Sequence, residues 1–247
     1  MRNNKNIWLT PVTFILILGV GVYSYLYYFS PPKPFYSNDE LVMELNKISD
    51  YSTVMEIQDI IFLDENRVFV PYITTDEDYS SSYWTWEKNN WNAIAHYNNS
   101  IPFVWSSKKG QDTFFVWNLN PRDNIKSIDF YMIRDRYYHI MTEGDKRKET
   151  YDPRIQFTHN LKIKEQSYGV ESVPAEWQVV SNLYGESEKT ESTFFSYPTN
   201  MHIIFGWMPY EENGDRADVR YSAMGGGFHY SYDGLNFMTY VNESELE

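Results

Sequence analysis

The chain is 247 residues long, with 21 Lys plus Arg against 34 Asp plus Glu, no cysteine, and 45 aromatics made up of 8 Trp, 22 Tyr and 15 Phe. The lack of cysteine excludes disulfides, thiolate ligation of zinc or iron–sulfur clusters, and a cysteine nucleophile. A formal charge of −13 argues against nucleic acid as a partner, because a phosphate backbone is held by a concentrated basic surface, and against adsorption of the soluble part to an anionic bilayer.

From Ile7 to Phe29 the only ionisable side chains are tyrosines, and these 23 residues are enough for a helix to cross a hydrocarbon core of about 30 Å. Trp8 near one end and Tyr23, Tyr25, Tyr27 and Tyr28 near the other suit the headgroup layers. Pro11 falls in the first turns, where a missing amide costs little, and Pro31-Pro32-Lys33-Pro34 stops the helix. Arg2 and Lys5 precede the span, whereas Asp39, Glu40 and Glu44 soon follow it, so the positive-inside rule places the N-terminus in the cytoplasm and the rest outside. A cleaved signal peptide fits less well, since the apolar run is long and its tyrosine-rich exit has no small-x-small cleavage site. The organisation expected is a cytoplasmic N-terminus at 1–6, a transmembrane signal anchor at 7–29, a proline-stiffened spacer at 30–36, and an extracytoplasmic domain at 37–247. Without Arg2 and Lys5 the remainder has 19 basic and 34 acidic residues.

Ser37-Asn-Asp-Glu40 has the capping-box pattern, and Leu41, Leu45 and Ile48 fall on one face of the helix it opens. From Val54 the period changes to two. Val54 to Leu63, a turn at Asp64-Glu65-Asn66, and Arg67 to Thr74 read as an antiparallel pair. Tyr83 to Lys88 and Trp91 to Tyr97 read as a hairpin about Asn89-Asn90, a register that sets Trp86 against Ala93 and Trp84 against Ala95. Further strands are expected at Phe103–Trp105, Phe114–Leu119, Ser127–Arg134, Tyr137–Met141, Ile155–Ile163, Met201–Met208, Gly227–Tyr232 and Asn236–Val241, the last two joined in a hairpin at Asp233-Gly234. A second helix is expected over Pro174–Gly185, and the charged, serine-rich stretch from Gly185 to Thr193 reads as an exposed loop. The fold class is therefore mainly β: one transmembrane helix followed by an antiparallel sandwich or meander with one or two short helices, a propeller-like arrangement being the alternative.

The histidines at 96, 139, 159, 202 and 229 include no closely spaced pair, and the motifs of Walker loops, nucleophile elbows and dinucleotide sites are missing. Ser106-Ser-Lys-Lys109 formally matches Ser-x-x-Lys but follows a strand and lacks the companion boxes of penicillin-binding enzymes. Asp76-Glu77-Asp78 and Glu211–Asp215 offer hard oxygen ligands without calcium-loop spacing, so no metal or other cofactor is assigned. Asp129–His139 is the densest mixed-charge stretch; Arg134-Asp135-Arg136 reads as a turn, with Arg134, Arg136 and His139 as candidate anion contacts. Most aromatics, Trp84 and Trp86 among them, are assigned to the core, although exposed rings in a row also bind sugar faces.

The leading reading is a bitopic membrane protein whose external β domain is a binding or accessory module at the cell envelope. Its expected partners are the lipid bilayer through residues 7–29 and a cell-wall or membrane-protein component. An envelope hydrolase using Asp and Glu from separate strands, and a structural subunit of a membrane complex, are the alternatives.

Overall fold

The computed structural model describes residues 9–49, 52–107, 112–143, 146–163, 165–190, 203–230 and 234–246. Helix α1 (Leu9–Phe29) runs for 21 residues, about 30 Å. From Pro11 to Phe29 it is long and apolar enough to cross a membrane, and none of it is buried against the body. Ile7 and Trp8 lie outside the described residues.

The segment expected as a spacer packs onto the body instead. Trp86 donates its indole N–H to the Ser30 carbonyl at 3.0 Å, and Trp91 donates to the Lys33 carbonyl at 2.9 Å. Phe35 lies edge-on to Trp91 at 5.0 Å and Trp84 at 5.8 Å. The proline-rich run supplies rigid backbone carbonyls, and the tryptophans of a neighbouring hairpin supply donors that would otherwise be costly to bury. Helix α2 (Asn38–Ile48) follows, with the expected capping box between Ser37 and Glu40, and buries Leu41 and Leu45. The two hydrogen bonds from Ser37 hold the Glu40 carboxyl below its ordinary value.

Three sheets are stacked. Sheet A holds β1 (Val54–Ile57), β2 (Ile61–Asp64), β3 (Arg67–Thr74), β4 (Tyr79–Glu87), β5 (Asn90–Tyr97) and β14 (Gly227–His229); β1 and β2 both pair with β3. Sheet B has the order β12-β7-β6-β15, from β6 (Phe103–Ser106), β7 (Thr113–Asn118), β12 (Tyr168–Ser172) and β15 (Leu235–Phe237). Sheet C has the order β11-β8-β13-β16, from β8 (Ser127–Arg134), β11 (Ile155–Lys162), β13 (Ile204–Tyr210) and β16 (Thr239–Tyr240), with β13 and β16 parallel. The remaining pairs are antiparallel, and the described sheets do not show a ring of blades about a channel.

Sheet B is the middle layer, which explains why its central strands β6 and β7 read as nearly unbroken apolar runs rather than alternating ones. Phe103, Trp105 and Val116 face sheet A and meet Phe69 and Tyr83. The alternate residues Val104, Phe115 and Trp117 face sheet C and meet Ile128, Phe130 and Trp207. Phe115 stacks on Phe130 at 4.2 Å. Helix α2 covers the outer face of sheet A through Val68, Val70, Tyr72 and Trp84. Helix α3 (Ala175–Thr190) places Trp177 in the core between sheets B and C, and the short α4 (Arg220–Ala223) contributes buried Ser222.

Four sequence expectations are corrected. The β4–β5 turn is Lys88-Asn89, whose φ values of 53° and 61° suit a primed turn, so Trp86 faces Trp91 rather than Ala93. That register brings both indoles to the linker carbonyls, and a bulge at Tyr83/Trp84 absorbs the slip. Arg134-Asp135-Arg136 is not a turn. The pairing of β8 with β11 continues in unbroken register into β9 (Tyr137–Glu143) and β10 (Lys146–Asp152), so Ser127 to Lys162 form one long hairpin whose outer half projects as a two-stranded arm. On that arm Tyr138 and Tyr151 are opposite each other and 55% and 65% exposed. The expected final hairpin does not form either: β14 joins sheet A and β15 joins sheet B, and Gly234, φ 73°, accepts from the Ser106 N–H at the start of β15, while Asp233 lies outside the described residues. Finally, α3 continues past Gly185 to Thr190, where a loop was expected.

Candidate functional site

β12 is five residues long with glycine at its second position, and it pairs along β7 so that Gly169 stands opposite Trp117. A Cβ at 169 would lie 2.3 Å from Trp117 Cζ2, so only glycine lets the indole lie flat across the strand. The ring floors a cleft of about 350 Å³, at the edge of the stack where β12, β11 and the link between β1 and β2 converge. Ile61, Leu161 and Val170 form apolar walls. Asp59, Lys162, Gln166, Tyr168 and Glu171 form the polar rim. Trp117 is 6% exposed, and its indole N–H is buried without a hydrogen-bond partner.

A closed polar ring holds the walls in place. Asn118, fully buried, donates to the Ser80 carbonyl at 2.7 Å and to Gln58 Oε1 at 2.8 Å. Gln58 in turn donates to Ser167 Oγ at 2.8 Å, and Ser167 donates back to Asn118 Oδ1 at 3.0 Å. Gln58 precedes Asp59 and Ser167 lies between Gln166 and Tyr168, so one side chain of the middle sheet positions both walls. Such support for a rim by a second layer of hydrogen bonds is the physical meaning of a preorganised site.

The rim carries both signs of charge. Burial first, then the neighbouring Asp59 carboxylate, pushes the Tyr168 phenol above its ordinary value, which keeps it neutral and able to donate. His159 Nε2 lies 3.9 Å from Glu171 Oε1 at the far end of the rim. Asp59 and Glu171 offer acceptors, Lys162 and Gln166 offer donors, and the floor is apolar. That combination suits a small ligand with one apolar face and a hydrogen-bonding edge, and the volume is in the range of such sites.

The three residues singled out from the sequence sit elsewhere. Arg134 is 2% exposed at the base of the arm and donates to the Pro153 carbonyl at 2.8 Å, so its guanidinium braces the hairpin. Arg136 is exposed two residues further on. His139 lies on β9 opposite Thr150, and its side chain lies outside the described residues. Ser106 ends β6 and receives a hydrogen bond from the Thr113 hydroxyl at 3.2 Å, while Lys108 and Lys109 lie outside the described residues. In the first acidic loop Glu77 pairs with Arg122, and in the second Asn213 donates to Asp215 at 2.8 Å. Among the described residues no three His, Asp or Glu side chains group as metal ligands.

The cleft residues escaped sequence reading because they come from three separate segments spread over more than a hundred positions. The one local signal was a glycine inside Ser167-Tyr-Gly-Val-Glu-Ser172, a mark of close approach by another group. Compared with known proteins, the chain matches no family model, no curated protein and no solved structure.

Proposed function

We propose that this is a single-pass membrane protein whose β body works outside the cytoplasm as a binding or accessory module at the cell envelope, taking a small ligand in the cleft over Trp117. The observation that carries the reading is the closed ring through Asn118, Gln58 and Ser167, which spends buried polar groups on fixing the two walls of an open cleft. The apolar 21-residue helix, with Arg2 and Lys5 before it and acidic residues after it, supports the anchoring and its direction. The indole hydrogen bonds to Ser30 and Lys33 support a body seated directly at the helix exit.

The test is equilibrium binding of soluble wall fragments to the detergent-solubilised full chain, followed by tryptophan fluorescence. Saturable binding lost in Asp59→Asn and Gln166→Ala, both exposed rim positions, supports the reading; binding unchanged by either substitution, or no binding by the folded chain, contradicts it. A hydrolase is the second reading, favoured by Asp59, from the β1–β2 link, and Glu171, from β12, lining one cleft. Turnover of a wall substrate that Glu171→Gln abolishes without loss of stability would establish it in place of the first.

A further inference from the structure

The contacts of β11 fix the direction in which the β9–β10 arm projects. Lys162, at one end of β11, lines the Trp117 cleft with Tyr168 and Gly169, at the start of β12. His159 lies 3.9 Å from Glu171, near the end of β12, and Phe157 packs at 6.0 Å on Trp177, beyond that end. Followed back from Lys162, β11 therefore runs toward the end of sheet B where Ser172 pairs with Phe114 and Ser106 with Thr113. The arm continues past Ile155 in the same register and so projects beyond that end. The same end receives α1, since Tyr28, Phe29 and Ser30 line a recess with Ser106, Ser107 and Asp112.

Strand alternation says what the arm presents there. Phe130 and Met132 lie on the face of sheet C turned toward sheet B. The same alternation carried outward reaches Tyr138, Ile140 and Thr142, with Tyr151, Glu149 and Arg147 opposite them. Strands β9 and β10 pair only with each other, and this face is open: Tyr138 is 55%, Ile140 41% and Tyr151 65% exposed. Arg147 pairs with Glu149 at 2.8 Å, and Tyr138 donates to the same carboxylate at 3.1 Å. The described side chains of the face therefore carry no net charge, in a chain of formal charge −13. The base of the arm is braced, by Arg134 on the Pro153 carbonyl and by Arg154 on Asp135 at 3.3 Å.

We infer that this face of the arm rests in the headgroup layer of the bilayer that α1 spans, as a second point of membrane contact. The inference rests on the membrane-anchor reading of α1, which brings this end of the stack to the bilayer surface. Tyrosine rings, apolar with one polar tip, and a patch without net charge suit that layer. The ribbon's two open edges and its ion pair keep it out of the hydrocarbon, where unpaired backbone groups are not tolerated. Its seven residue pairs give a lever of about 20 Å, so a body held by a single helix is fixed in tilt as well as in depth.

The experiment uses the full chain with a spin label at Thr142→Cys, an exposed position on this face, in vesicles of phosphatidylcholine and phosphatidylglycerol. Power saturation reads collisions with oxygen, which concentrates in lipid, and with a nickel chelate, which stays in water. The oxygen-to-nickel ratio should be well above that of the same label at exposed Asp76→Cys, which follows β3 at the end away from Arg67 and the α1 exit. Tyr138→Thr with Tyr151→Thr keeps strand-forming side chains and should lower the ratio to the Asp76→Cys value. An unchanged ratio in that variant overturns the role given to the tyrosines. With the tyrosines in place, a Thr142→Cys ratio equal to that of Asp76→Cys overturns the inference and leaves the anchor reading intact. Loss of collisions with both reagents does the same, because a second copy of the chain then covers the rings. A chain that alkaline carbonate strips from the vesicles overturns both.

Discussion

Replacing Asn118 by alanine removes the side chain that joins both walls of the candidate cleft to the buried backbone of sheet A. Its amide nitrogen reaches the Ser80 carbonyl at 2.7 Å, Gln58 at 2.8 Å and the Tyr72 carbonyl at 3.3 Å, and its oxygen receives Ser167 at 3.0 Å. The four partners do not weigh equally. Gln58 and Ser167 are half-buried and can turn to water, so losing each bond costs about 1 kcal/mol or less. Ser80 and Tyr72 are 0% and 2% exposed, so the carbonyl that loses its short bond stays dry and costs about 1–3 kcal/mol. The expected loss is therefore about 3 kcal/mol, dominated by the dry carbonyl. With a guanidinium m-value of about 5 kcal/mol/M for a body of this size, the midpoint should fall by about 0.6 M. Guanidinium denaturation of the detergent-solubilised chain, followed by tryptophan fluorescence, reads this shift. Gln58→Ala and Ser167→Ala should each move it by a third as much or less. If Asn118→Ala costs no more than Gln58→Ala, the ring is ornamental and the preorganisation argument fails.

Three further outcomes follow from the same structure. The pair Trp86→Phe and Trp91→Phe keeps the rings but removes the donors to Ser30 and Lys33, so the distance distribution between spin labels on Ser24→Cys and Asp76→Cys should broaden; an unchanged distribution refutes the clamp, and the absence of native cysteine makes the labelling clean. Gly169→Ala drives a methyl against Trp117, at a cost of about 1–3 kcal/mol and with a shift in tryptophan emission; an unperturbed spectrum would mean the indole does not cross the strand. Burial raises the folded values of Tyr72 and Tyr83, so the stability they contribute is complete below the unfolded value of about 10 and is lost as pH climbs above it. Denaturation midpoints between about pH 8 and 11 should fall at the alkaline end, less steeply in Tyr83→Phe, and an identical slope in that variant would refute the assignment.

What the sequence disclosed depended on how local the determinant was. Helix α2 was legible because its cap, Ser37 with Glu40, and its stripe, Leu41 and Leu45, lie within nine residues. Strand β8 was legible to the residue. Strand β10 was not, since Lys146-Arg-Lys-Glu-Thr-Tyr-Asp152 carries no apolar alternation and pairs with β9 alone, in a two-stranded sheet apart from the stack. The Asp233-Gly234 signal misled for a physical reason: Phe103 to Trp105 and Ala95 to Tyr97 offer sheet edges over a buried core, and docking β15 and β14 there gains more than pairing them with each other. The β4–β5 register was decided at a distance, by carbonyls on residues 30 and 33 that no hairpin rule contains. The cleft was the least legible part, because Asp59, Trp117, Lys162 and Glu171 meet only once three sheets are stacked.

An external body seated at the exit of a membrane anchor is tested most directly by its sidedness. In intact cells expressing the full chain with the exposed loop substitution Asp76→Cys, a membrane-impermeant maleimide should label the protein as fully as it does after lysis, whereas Asn4→Cys should be labelled only after lysis. Labelling of the Asp76→Cys chain only after lysis would contradict the account.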